Sequence, residues 1–202
     1  MRKELIQTLQ ASLNGLGHHC GAVDGQPGPL LAAGLESMRK IIGDSPAPKP
    51  KTANAWPRDT DEELRAFYGE PGDPANMTHL QLPAPLHLYV PGGQLVMRLY
   101  CHKKIEPFLG AALAEIAELP DDLIRRHQLD VTGGCFNKRK RVGGSRLSVH
   151  SWGAAYDMAI GLNGYGEEPD MPGVVVDIFA RHGAQWGGYW PTPDGMHFEF
   201  VN

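Results

Sequence analysis

No stretch of the 202-residue chain stays apolar for the length of a membrane span. Its start, Met1-Arg2-Lys3-Glu4-Leu5, has no apolar core of signal-peptide length. Membrane insertion is therefore not expected, and the chain is expected to be made in the cytoplasm; a target outside the cell would require a separate means of release. Cysteine is scarce. Cys20, Cys101 and Cys135 lie far apart with no C-x-x-C pair, and an odd count suits a reducing compartment while leaving one bridged pair open. Excess positive charge is absent too. A net charge of -4 and a pI near 6.1 give no electrostatic case for nucleic acid as the main partner. The one basic cluster, Lys138-Arg139-Lys140-Arg141, is short and reads as a solvated loop or a local anion grip.

What the chain does have is glycine and proline, 25 and 17 residues, which predict long loops. Its 42% hydrophobic content still suffices for a core, and its length suits one fair-sized domain or a domain plus a small module. Residues 4–17 read as an amphipathic helix with Leu5, Leu9, Leu13 and Leu16 on one stripe, ended by Gly15 and Gly17. A turn follows at Val23-Asp24-Gly25-Gln26-Pro27-Gly28-Pro29. A second helix starts at Pro29 and carries Leu31, Leu35, Met38 and Ile42 on one face. His18 and His19, in the loop, are expected at the surface and not as ligands, because no acidic or Cys partner lies at chelating spacing. From 44 to 58 prolines alternate without an apolar period, which predicts a semi-extended linker between a module at 1–43 and a domain at 59–202.

In the larger domain a short helix is expected after Asp59-Thr60-Asp61-Glu62-Glu63, through Phe67. Pro- and Gly-rich chain follows to Gly93, with short extended pieces around Leu86–Val90, then a strand over 94–101. The broad stripe Ile105, Phe108, Leu109, Ala112, Leu113, Ile116 and Leu119 predicts a core helix over 104–119. A shorter helix is expected over 121–127, a strand over 130–136 and a helix over 172–183 started by Pro172 and capped by Gly183. Residues 196–201 alternate, which places Met196, Phe198 and Phe200 in the core and His197, Glu199 and Val201 towards a site.

Two segments carry chemistry: Ser148-Val149-His150-Ser151-Trp152-Gly153-Ala154-Ala155-Tyr156-Asp157 and Asp194-Gly195-Met196-His197-Phe198-Glu199. His150 and Asp157 stand seven apart across small residues, and His197 comes from the last strand. Two imidazoles and one carboxylate suit a zinc ion and leave a fourth position open. Asp194, three residues before His197 and followed by Gly195, can approach that position without being a ligand, as a general base must.

The leucine-rich helix Leu9-Gln10, Leu13-Asn14, Leu16-Gly17 with Val23-Asp24-Gly25 and Gly28-Pro29 resembles a peptidoglycan-binding module. It departs from that pattern at Leu30-Leu31 and Ser37-Met38. The pattern Ser148-x-His150-x-x-Gly153-x-Ala155-x-Asp157 followed by Asp194-x-x-His197-x-Glu199 resembles the zinc D-alanyl-D-alanine carboxypeptidase and L-alanyl-D-glutamate endopeptidase family. That family includes VanY-type enzymes and phage endolysins and shares the hedgehog fold. Gly134-Cys135-Phe136-Asn137-Lys138-Arg139 and Trp186-Gly187-Gly188-x-Trp190 extend the likeness over residues 95–202.

The resemblance implies an α+β fold: a small helical module plus a domain with an antiparallel sheet flanked by helices. It implies one zinc per chain on His150, Asp157 and His197, Asp194 as base, and Arg139 (or Arg141, the loop register being open) at the substrate carbonyl. Ser148 is then a hydrogen-bonding wall residue and Glu199 orients a ligand; Trp186 and Trp190 are candidates for the cleft or its support, as are Trp152 and Tyr189. The function implied is hydrolysis of an amide bond in peptidoglycan peptides by a monomeric phage or prophage endolysin released by a holin, with peptidoglycan as partner. A wall-metabolism D-Ala-D-Ala carboxypeptidase and a non-catalytic zinc-containing wall-binding protein are the alternatives.

Overall fold

The computed structural model describes residues 3–18, 20–26, 29–31, 33, 34 and 56–202. The chain divides into two units, Met1–Lys49 and Pro50–Asn202. The whole of the Pro-rich segment 44–55, and the second-helix positions Leu35, Met38 and Ile42, lie outside the described residues, as does His19.

In the first unit helix α1, Lys3–Gly15, buries Ile6, Gln10 and Leu13, with Leu9 partly buried beside them. These positions follow the i, i+3, i+4, i+7 spacing of one helical face. Leu16, expected on the stripe, is 64% exposed because the helix has already ended at Gly15. Gln10 takes its place in the interior for a polar reason: its amide donates to Asp24 Oδ1 at 2.9 Å, and its carbonyl oxygen accepts from the Gly25 amide at 2.8 Å. Asn14 does the same for the loop, donating to the Gly21 carbonyl and accepting from the Cys20 amide. His18, expected at the surface, is 7% exposed, since the chain turns back under the helix end there and its amide bonds the Leu13 carbonyl.

The second unit holds strands β1 (Met77–Leu88), β2 (Gln94–His102), β3 (Val131–Gly134), β4 (Ala155–Met158), β5 (Gln185–Trp186) and β6 (His197–Glu199) in a six-stranded sheet of order β2-β1-β3-β4-β6-β5, with helices α2 (Asp61–Tyr68), α3 (Glu106–Ala117), α4 (Asp121–Arg126) and α5 (Gly173–Arg181). The α+β class expected from the sequence holds. The sheet, expected antiparallel, is mixed: β1 (Met77–Leu88) pairs antiparallel with β2 (Gln94–His102) but parallel with β3 (Val131–Gly134). That parallel pair arises because α3 and α4 return the chain across the sheet before β3 begins, the crossover that a parallel neighbour requires. β1 runs through the Pro- and Gly-rich chain in which only short extended pieces around Leu86–Val90 were expected, and it contains Pro83 and Pro85. Both prolines fall where the β1–β2 register breaks, between Gln81 and Leu86, so their missing N–H groups interrupt no ladder bond.

Helix α3 buries Ile105 at its cap and Leu109, Ala112, Leu113 and Ile116 along its length, as the stripe predicts. Trp56, at the end of the expected linker, is also core, with Phe67, Phe108 and Phe200 edge-on around it at 5.2–6.0 Å. All three cysteines are buried and unbridged. Among the described residues no helix is long and apolar enough to cross a membrane.

Candidate metal centre

The centre is built on two neighbouring strands, β4 (Ala155–Met158) and β6 (His197–Glu199), with β5 (Gln185–Trp186) beyond β6. In their antiparallel register Asp157 stands opposite His197, Tyr156 opposite Phe198 and Ala155 opposite Glu199. Alternation then sorts the two faces. Tyr156 and Phe198 lie against Phe179 of α5, whose ring is 3.9 Å from that of Phe198. Asp157, His197 and Glu199 are left on the opposite face.

His150 comes from the turn just before β4. Val149–Trp152 form a 3-10 turn capped by Ser148, its Oγ accepting from the His150 amide at 3.4 Å. Gly153 ends the turn at φ 64°, and a Cβ there would lie 2.5 Å from Met77 Cε. Only glycine fits. Trp152 belongs to the core, donating from its indole to the Gly69 carbonyl at 2.8 Å.

Three electron-pair donors converge. His150 Nε2 is 3.0 Å from Asp157 Oδ1, His197 Nδ1 is 2.9 Å from the same oxygen, and the two nitrogens are 3.1 Å apart. The outer nitrogens are occupied elsewhere: His150 Nδ1 donates to the Cys135 carbonyl at 2.8 Å, and His197 Nε2 donates to Glu199 at 3.2 Å. Each imidazole is thereby held in the tautomer that turns a lone pair into the triangle. Three lone pairs facing one another repel unless a cation sits among them. A tetrahedral zinc with bonds of about 2.0–2.1 Å has ligand-to-ligand edges of roughly 3.3 Å, so the triangle fits after opening by a few tenths of an ångström. The set His150, Asp157 and His197 matches a metal cluster in composition, spacing and burial.

The electrostatics agree with that fit. Burial raises the Asp157 carboxyl, but His150 and then His197 outweigh it and hold the group well below the usual carboxylate range. Burial disfavours a charged His197, yet Asp157 and Glu199 together push it up to about 10, so a proton stands in for the cation.

A cavity of about 350 Å³ opens over the triangle, lined among others by Asp157, His197, Glu199, Arg139 and Asp194. Asp194 keeps one buried carboxylate oxygen, Oδ1, without a hydrogen-bond partner. Burial pushes its carboxyl up, His197 pulls against that, and the Asp157 charge adds to the rise. A carboxylate that is desolvated, unpartnered and beside a candidate metal centre is equipped to take a proton.

Of the two arginines left open by the sequence, Arg141 is tied down: its guanidinium pairs with Asp59 and donates to the Leu147 carbonyl. Both line the cavity, but Arg139, which is half-buried, bonds from its side chain only to the Lys140 carbonyl at 3.3 Å. Trp190 lines the cavity with its ring 5.4 Å from His197. Trp186 packs behind it, stacked on Phe198, and Tyr189 is 63% exposed against the Trp186 ring. Met196, expected in the core, is half-buried and faces the cavity, whereas Val201 is buried in the core; β6 ends at Glu199, so the alternation does not extend to either residue. Sequence reasoning missed Val142 and Tyr165 on the cavity wall and the Cys135 carbonyl behind His150. Loop residues and backbone atoms carry no spacing signal; Gly134, at φ 82° just before Cys135, was the only local hint.

Residues 142–200 match the model of a family described as D-alanyl-D-alanine carboxypeptidase. The match spans under a third of the chain and includes all three candidate ligands, Asp194 and Glu199, but not Arg139. It supports a peptidase that acts on peptidoglycan. No curated protein and no solved structure matches the chain.

Proposed function

We propose that this protein is a zinc-dependent peptidase that hydrolyses an amide bond within peptidoglycan peptides, as a phage or prophage endolysin reaching the wall after holin-mediated release. The observation that carries the reading is the lone-pair triangle of His150, Asp157 and His197 beneath a cavity that also holds the unpartnered Asp194. Zinc held by those three residues supplies Lewis acidity and draws the pKa of a water towards about 7.

The protein's own groups do the rest. Glu199 and the Cys135 carbonyl keep both imidazoles in the ligating tautomer. Asp194 takes the proton of the attacking water and returns it to the leaving amine. Arg139 donates to the substrate carbonyl as negative charge builds there, a contribution of roughly 3–4 kcal/mol for a well-aimed donor. Trp190 and Tyr165 wall the cavity and limit its water. The first unit, with its Gln10-clamped Asp24-Gly25 turn, serves to hold the enzyme on the polymer, which raises the local substrate concentration.

A second reading, removal of a terminal D-alanine, is favoured by the description of the matching family. Mass spectrometry of the products from a purified muropeptide separates the two: an internal cut gives two peptides, a terminal cut gives free D-alanine. The common core of both readings fails if the metal-loaded protein releases nothing from peptidoglycan, if chelators leave its activity intact, or if Asp194→Asn is fully active.

A further inference from the structure

Asp194 has no side-chain partner to aim it, since its Oδ1 is buried and unbonded. Its direction is therefore set by the backbone of the turn 194–197. That backbone is held from both sides. The His197 amide closes the turn on the Asp194 carbonyl at 3.1 Å, the Met158 amide donates to the Met196 carbonyl at 3.0 Å, the Asp194 amide donates to the Gly187 carbonyl at 3.0 Å, and the Trp186 indole Nε1 donates to the Gly195 carbonyl at 2.8 Å. The last two come from one segment, Trp186-Gly187-Gly188, which grips the turn from its far side.

The two glycines make the grip possible. A Cβ on Gly187 would stand 2.8 Å from the Asp194 carbonyl oxygen and 3.2 Å from Asp194 Cβ. A Cβ on Gly188 would stand 2.2 Å from the Trp186 ring. Phe198 beneath the indole and Tyr189 at its edge fix the ring plane, so the N–H has one direction available. We infer that Trp186 is a positioning residue for the base: its indole N–H, acting through the Gly195 carbonyl and with Gly187 as the floor, sets where the Asp194 carboxylate points. The inference rests on the proposed peptidase reading for its kinetic consequence but not for its structural one.

Trp186→Phe keeps an aromatic ring, smaller by the pyrrole half of the indole, and removes the N–H. Two measurements on the zinc-loaded protein test the idea. Amide hydrogen exchange at His197 is expected to accelerate by at least about tenfold while α3 keeps its protection, because the side-chain bond that grips the turn from its far side is gone. In hydrolysis of wall peptides kcat is expected to fall by about ten- to a hundredfold, the effect of moving a reacting group by an ångström, with KM and zinc content unchanged. A residue that merely supported the fold would lower zinc content and thermal stability and move KM along with kcat; that pattern, or unchanged exchange at His197, overturns the inference. Should Trp186→Phe not fold, Gly187→Ala pushes on the same turn from beneath, and the same split between kcat and KM is expected. Wild-type protein that binds zinc but cleaves no wall peptide removes the function proposed above, while the exchange result still decides the role of Trp186.

Discussion

Removing the Glu199 carboxylate tests the logic of the centre most directly. Its Oε2 accepts from His197 Nε2 at 3.2 Å in a place where Glu199 is 4% exposed, so water screens the pair little. A hydrogen bond to a charged group in such surroundings contributes about 1.5–3 kcal/mol. Loss of an outer partner of a ligating histidine lowers metal affinity by about 10- to 100-fold, or roughly 1.4–2.8 kcal/mol, and the two figures agree.

Glu199→Gln keeps an accepting oxygen and loses the charge, so it should fall at the weak end. Glu199→Ala also frees His197 to rotate or change tautomer and should fall at the strong end. Zinc dissociation constants from competition with a chromophoric chelator measure both. The metal-free protein adds a second reading. His197 is pushed up to about 10, above the ordinary value of about 6.5, because Asp157 and Glu199 outweigh the burial that opposes it. Its stabilisation is therefore fully present below about 6.5 and lost as pH rises through about 10, and Glu199→Gln should flatten that loss in melting curves. Zinc affinities within twofold of wild type in both variants would refute the claim that Glu199 orients a ligand.

Other expectations follow from the same geometry. Arg139→Ala should lower kcat by about 10²- to 10³-fold with little change in melting temperature. Arg141→Ala should leave chemistry nearly intact and cost about 1 kcal/mol or less, most visibly at low salt, since its pair with Asp59 is partly exposed. Gly153→Ala meets both a positive φ and a Cβ 3.0 Å from the His102 amide, so a loss of about 1–3 kcal/mol is expected in denaturant titrations, with weaker zinc binding because the His150 turn is displaced. In the metal-free protein burial raises the Asp194 carboxyl, so an NMR titration of that carboxyl without zinc should place it above the ordinary carboxylate value of about 3.9; a value at or below that would refute its desolvated placement.

Local patterns carried much of this molecule. The α3 stripe, the Pro172 start and Gly183 stop of α5, and the seven-residue spacing of His150 and Asp157 are properties of neighbouring residues, and periodicity or spacing exposes them. What stayed hidden depends on chain brought from far away. Nothing near Arg141 announces that Asp59, 82 residues earlier, will engage its guanidinium and leave Arg139 the less tethered of the two arginines on the cavity wall. Pro83 and Pro85 argue against a strand until the partner's register break that accommodates them is known. Met196 obeys alternation on paper, but β6 starts only at His197, so the rule does not reach it. Trp186 and Trp190 look alike in sequence, and only the placement of the Gly195 carbonyl separates the support from the wall.

The register of β4 on β6 has a wider consequence. Asp157 and His197 face each other across one rung, yet 39 residues separate them in the chain, an excursion that carries α5, Tyr165, Trp190 and Asp194. Backbone pairing closes that rung whatever the excursion's length. Residues can be inserted or removed in the outer loops between them, and the cleft's walls rebuilt, while the two candidate ligands return to the same rung. The geometry of the candidate metal centre and the shape of the cleft are thus heritable separately, the one written in a strand pair and the other in the loop it brackets.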